Sequence, residues 1–118
     1  MCYRLARLRY SAYRAQSGRC FYCGLPMWVR DPESFAAAHR ITLPQARLLQ
    51  CTAEHLEARQ DGGKDTKRNI AAACYYCNQR RHDRKVAPAP DDYRLFVQQR
   101  LSEGRWHSKS LAVRRRAA

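Results

Sequence analysis

Two Cys-x-x-Cys pairs constrain this chain more than anything else in it. They are Cys20/Cys23 in RCFYCGL and Cys74/Cys77 in CYYC. Each pair makes a tight knuckle that can point two sulfurs at one metal. Four thiolates suit tetrahedral structural zinc, with Cys20, Cys23, Cys74 and Cys77 as its ligands. The gap between the pairs is much longer than in a simple zinc ribbon. The N-terminal knuckle must therefore be stapled to a distant segment, with other structure threaded between. Buried reduced cysteine is the competing explanation, and two matched pairs argue against it. At 118 residues there is room for one small domain. Such a domain buries a modest core, so a structural metal would help it. Cys2 and Cys51 have no partner motif, and Cys51 reads as a small core residue on a strand.

The formal net charge is +13, and Arg outnumbers Lys nineteen to four. Guanidinium groups stay charged and bind phosphate oxygens bidentately. A charge of this size favours a polyanionic partner over a merely solvated surface, which makes nucleic acid the expected partner. No apolar run approaches the roughly 18 residues of a membrane helix. The opening MCYRLARLRY is too charged for a signal-peptide core. A cytoplasmic location without membrane contact is expected, and there thiols stay reduced and six Cys suggest metal before disulfides.

Along the chain, residues 3–16 read as a helix with Leu5, Leu8 and Ala12 on one face and Arg4, Arg7 and Arg14 outward. Gly18 stands where a helix ends. Met27, Trp28 and Val29 suggest a short strand. Asp31 and Pro32 open a helix that runs to about His39, and Thr42 and Pro44 open another turn. Leu48 to Ala53 alternates like a strand, with Glu54-His55 just after it. A polar loop follows, with Gly62-Gly63 as its turn signal. NIAAAC, opened by Asn69, reads as a strand pairing back on the first. NQRRHDRK reads as a short helix, broken by Ala87-Pro88-Ala89-Pro90. Asp91 or Asp92 is expected to cap a last helix, made amphipathic by Tyr93, Phe96, Val97 and Leu101 and ended by Gly104. One domain over 1–106 is expected, its core at about 48–86. Residues 107–118 read as a basic, disordered tail.

Within Cys51–Lys85, the order A-E-H, Gly-Gly, K-R-N-I, then C-Y-Y-C-N-Q-R-R-H resembles an HNH endonuclease, and more narrowly the small stand-alone members stapled by zinc. The resemblance covers Arg19–Cys23 and Cys51–Lys85. It implies an α+β fold: a ββα-metal core, two antiparallel strands and a helix around one divalent cation, with flanking helices. It implies His55 as general base, a role that suits imidazole, which titrates near neutral pH. It assigns Glu54 as a metal ligand and Asn69 as the central Asn that bridges the loop and orients His55. Asn78 stands where the family usually has His, so the chain is an H-N-N variant. Asn78 and His82 are four apart on a helix and share a face, as a metal pair should, with His82 expected either to ligate the cation or to contact phosphate. A carboxamide oxygen favours Mg²⁺ or Mn²⁺ as catalytic cation over zinc.

Arg80, Arg81, Arg84 and Lys85, with Lys64, Lys67 and Arg68 from the loop, are expected to contact phosphates, which positions an enzyme without specifying sequence. The expected activity is metal-dependent hydrolysis of DNA, with RNA a weaker candidate, by a monomer or weak homodimer. A zinc-knuckle module that binds nucleic acid without cutting it is the alternative. It explains the four Cys and the charge but leaves Glu54-His55 and their spacing to Asn69 and Asn78 as coincidence.

Overall fold

The computed structural model describes residues 2–114 of the 118. It is an α+β structure built on one hairpin. Strand β1 spans Cys51–His55 and β2 spans Ile70–Cys74, antiparallel, with Cys51 opposite Cys74 and His55 opposite Ile70. Helix α1 (Tyr3–Ala15) packs on the hairpin. Helices α2 (Pro32–His39) and α3 (Leu43–Leu48) pack together ahead of β1. Helix α4 (Tyr75–His82) continues straight from β2, and α5 (Pro90–Ser102) and α6 (Lys109–Ala112) follow.

The local signals explain most of these starts. Asp31 Oδ1 accepts the Ser34 amide at 3.0 Å and Pro32 fills the first turn, so α2 begins where a donor would otherwise be orphaned. Thr42 and Gln45 form a reciprocal capping box at α3. Helix α5 departs from expectation: Ala89 stands at its cap without a side-chain bond, and Asp91 and Asp92 lie in the first turn, where they face the helix dipole instead. Met27 to Val29 forms no strand of its own. Trp28 makes an isolated parallel bridge to Gln50, and its indole donates to Ala46 O at 2.7 Å. Strand β1 starts later than the alternation suggested, so Glu54 and His55 are its last two residues rather than its sequel.

The staple closes the molecule. Cys20, Cys23, Cys74 and Cys77 are buried, and their four sulfurs lie within 4.8 Å of one another. Around them pack Tyr22, Leu25, Leu49, Tyr93, Val97 and Leu101. Tyr22 and Tyr93 meet edge to face with centroids 4.8 Å apart. The free edge of β2 is covered: the Gln16 carboxamide both donates to Ala72 O at 2.8 Å and accepts from Ala72 N at 2.9 Å.

Residues 107–114 are not the expected tail. Trp106 and Leu111 are buried in the core, His107 is buried beside Cys74, and the Trp106 indole donates to Cys77 Sγ at 3.3 Å. Apolar residues spaced through a basic segment have docked it, with Ser108 capping α6. Residues 115–118, the remainder of that expectation, lie outside the described residues. Truncation of a buried Trp or Leu costs about 2–5 kcal/mol. A chain ending at Arg105 is therefore expected to lose at least that much stability in urea unfolding. A midpoint equal to the parent's would restore the tail reading.

Candidate active site

The acid that precedes the strand's terminal histidine is almost completely enclosed. Glu54 is 1 % exposed, an unusual place for a carboxylate. Successive residues of a strand point to opposite faces. Thr52 and Glu54 face α4, and His55 faces the loop that follows β1. Every neighbour of Glu54 is a donor. Its Oε2 accepts the Tyr22 hydroxyl at 2.9 Å and Arg81 Nη1 at 3.1 Å, and its Oε1 meets His82 Nε2 at 2.8 Å. Burial, then the Glu54 charge beside it, pushes the Tyr22 phenol far up, so its proton stays in place as a donor to Glu54.

Arg81 corrects the expectation that the whole basic face of α4 meets phosphate. It is 3 % exposed. Besides Glu54, it donates to His55 O at 3.0 Å, Leu56 O at 2.9 Å and Pro88 O at 3.0 Å. Its guanidinium is consumed by a carboxylate and three carbonyls, which leaves nothing for a phosphate. Arg80, Arg84, Lys85, Lys64, Lys67 and Arg68 are exposed. Arg80 lies 3.5 Å over the Tyr76 ring and Arg84 lies 4.8 Å over Phe96, so aromatic faces hold both guanidinium planes ready.

Helix α4 brings its other candidates to the same place. The Asn78 carboxamide donates through Nδ2 to Thr52 Oγ1 at 2.9 Å, so its oxygen is not the atom spent on this contact. Glu54, His55, Asn78 and His82, with Ala53 and Arg59, line one open depression of about 340 Å³ at the edge of β1. Cis ligands of an octahedral cation at 2.0–2.1 Å lie about 3.0 Å apart. The 2.8 Å between Glu54 Oε1 and His82 Nε2 is close to that separation. The donor set therefore fits a small divalent cation, with other positions left for phosphate and water.

His55 has a partner that sequence reasoning missed. Its Nε2 lies 2.7 Å from Asp65 Oδ1, while Arg59 Nη2 reaches both Asp65 oxygens at 3.2 and 3.0 Å. The same Nε2 lies 3.2 Å from Arg59 Nε, but one nitrogen cannot donate to Asp65 and accept from Arg59. The shorter contact, to a carboxylate, places the proton on Nε2 and leaves the Nδ1 lone pair free. The His55 hydrogen bond, with support from Arg59, holds the Asp65 carboxyl below its usual range. Asp65 sits ten residues from His55 in a polar loop, and only the Gly-Gly turn between them hinted that the two would meet.

Asn69 fastens that loop. Its Oδ1 accepts Glu57 N at 2.8 Å, and its Nδ2 donates to Glu57 O and Lys64 O, both at 3.0 Å. Gly63 permits the closure, because a Cβ there would lie 1.8 Å from Glu57 O and 2.9 Å from Asn69 Nδ2.

The four-cysteine cluster has the donor geometry of zinc. Zn–S bonds of 2.3 Å in a tetrahedron set sulfurs about 3.8 Å apart, and Cys23 and Cys74 are separated by 3.9 Å. Backbone amides of Tyr22 and Cys74 donate to Cys20 Sγ at 3.4 and 3.3 Å. Burial pushes the Cys23 and Cys77 thiols well up. Burial also acts to raise Cys20, but hydrogen bonds from Cys23, Cys74 and Cys77 outweigh it and hold Cys20 well below its usual range. Among the described residues this is the one cluster of three or more His, Cys, Asp or Glu with such convergence.

A hairpin and a helix, with a carboxylate–imidazole pair at their junction, form a ββα core. Residues 20–84, more than half of the chain, match the HNH endonuclease family, and the protein belongs to that family. No curated protein and no solved structure gave a significant match.

The buried ion pair yields a direct test. Removing one partner of such a pair costs about 3–5 kcal/mol, because the other charge is left unpaired. Arg81→Met is expected to lower urea-unfolding stability by that amount, and Arg81→Lys to recover only part of it, since one ammonium cannot span four acceptors. A loss under about 1 kcal/mol, the worth of an exposed pair, would mean that the guanidinium is solvated.

Proposed function

We propose that the chain is a metal-dependent DNA endonuclease that hydrolyses phosphodiester bonds with little sequence preference. The observation that carries this reading is the convergence of Glu54, His55, Asn78 and His82 on one open depression. Glu54 Oε1, His82 Nε2 and the Asn78 carboxamide oxygen would hold a divalent cation, Mg²⁺ or Mn²⁺ by the oxygen-rich donor set. Bound there, the cation supplies Lewis-acid stabilisation of charge on the scissile phosphate and the leaving oxygen. His55 takes a proton from the attacking water through Nδ1. Asp65 is its positioning residue and fixes the tautomer through Nε2. Asn69 holds the loop that carries Asp65. Cys20, Cys23, Cys74 and Cys77 would hold a structural zinc whose contribution is to folding. Lys64, Lys67, Arg68, Arg80, Arg84 and Lys85 draw the DNA backbone in, without reading bases. DNA is favoured over RNA by the family, and one centre per chain cuts one strand per event.

The test is conversion of supercoiled plasmid to open circle with Mg²⁺, Mn²⁺, Ni²⁺ or Zn²⁺ added separately. The parent is expected to nick with Mg²⁺ or Mn²⁺, and His55→Ala to lose about 10²–10⁴-fold in rate at unchanged DNA retardation. Asp65→Ala is expected to lose about 10–100-fold, the range seen for partners that orient an imidazole. Its His55 ring should also lose the Nε2-protonated signature in nitrogen NMR. Retardation of DNA with no cleavage by any metal would make the chain a binding module.

A further inference from the structure

The outer face of α1 has no role in the cleavage chemistry, yet it is built in an unusual way. Residues 1–30 contain six Arg and no Asp or Glu. Tyr3, Arg7, Tyr10 and Arg14 recur at intervals of three and four, so they form one stripe along the helix. All four are exposed, Tyr3 at 77 % and Tyr10 at 44 %. Arg7 lies 5.7 Å over the Tyr3 ring, and Tyr10 stacks on Tyr13 with centroids 6.1 Å apart. The stripe forms one wall of a groove of about 600 Å³, closed on the other side by Val29 and Arg30. Arg9 also lines it, and the Arg9 Nε is a buried donor without a protein acceptor. Among the described residues, none of Arg4, Arg7, Arg14 and Arg30 is in a salt bridge.

We propose that this groove binds a segment of unpaired nucleotides. The occupant must be anionic, because four guanidinium groups, of Arg7, Arg9, Arg14 and Arg30, line the groove without a salt-bridge partner among the described residues. It must also offer flat apolar faces, because two tyrosine rings alternate with the arginines at the surface. Unpaired nucleotides offer both at each step: a phosphate for Arg and a base for stacking, worth enough per ring for about a tenfold loss of affinity on truncation to Ala. A duplex presents the phosphates but keeps its base faces in the stack, so the tyrosines would add nothing to it. Helix α1 packs on the same hairpin that carries His55, so the groove and His55 belong to one scaffold.

The test is fluorescence anisotropy with a labelled thymidine oligonucleotide of about 12 residues, within the usual site size, beside a duplex of equal length. It is run in the His55→Ala background so that nothing is cut, whether or not the parent is a nuclease. Tyr3→Ala/Tyr10→Ala is expected to weaken single-strand binding about tenfold or more while duplex affinity stays within about twofold, and Tyr10→Phe to keep both. Equal losses on the two probes, or no loss on either, would overturn the proposal. Both tyrosines are exposed, and Tyr3→Ala alone, expected to show a smaller loss with the same selectivity, serves if the double variant fails to fold.

Discussion

The buried contact between Glu54 and Arg81 is what the site depends on. Each charge gives up several kcal/mol of hydration at such a depth, and mutual attraction alone does not reliably offset that. A well-packed apolar pair would hold the same space at no such cost. What the ion pair adds is position. Arg81 spends its donors on Glu54, on His55 O and Leu56 O at the end of β1, and on Pro88 O ahead of α5. One guanidinium thus locks the strand that bears His55, the helix that bears His82 and the segment that leads to the C-terminal helices. The carboxylate is left with one oxygen, Oε1, aimed at His82.

Tyr22 extends that lock to the cysteine cluster. It lies inside the first knuckle, between Cys20 and Cys23, and its hydroxyl reaches Glu54 Oε2. The four-cysteine cluster and the proposed catalytic site are therefore a single side chain apart. Apparent zinc-binding energies of about 10–16 kcal/mol in zinc-finger peptides are comparable with the whole stability of a domain, about 5–15 kcal/mol. Loss of the four-cysteine centre would therefore free the knuckle and take with it a donor that orients Glu54.

Much of this was legible in the sequence. The hairpin, the helix after the second knuckle and the clustering of four cysteines follow from spacing and turn chemistry, and Asp31 and Thr42 announced their helices by cap residues. What stayed illegible depends on tertiary partners. Arg81 looks like its neighbours Arg80 and Arg84 in a basic run, and only the carboxylate behind it turns it inward. Asp65 is one polar residue in a polar loop until Asn69 and Gly63 fold that loop back on Glu57, so that the carboxyl meets His55. The segment after Trp106 is basic enough to suggest a tail, and its two core anchors, Trp106 and Leu111, are too few to form a periodic signal. The alternation ends at Ala53, so the sequence alone puts Glu54 and His55 one step past the strand. The pairing of β1 with β2 carries the ladder on to His55.

The most direct measurement is anomalous diffraction from crystals of the parent chain grown with Mn²⁺. The expected result is a manganese peak in contact with Glu54 Oε1 and His82 Nε2, opening their 2.8 Å contact, while Arg81 and Tyr22 remain on Oε2. A peak elsewhere, with Glu54 and His82 still bonded to each other, would contradict the assignment of this pair as the cation site.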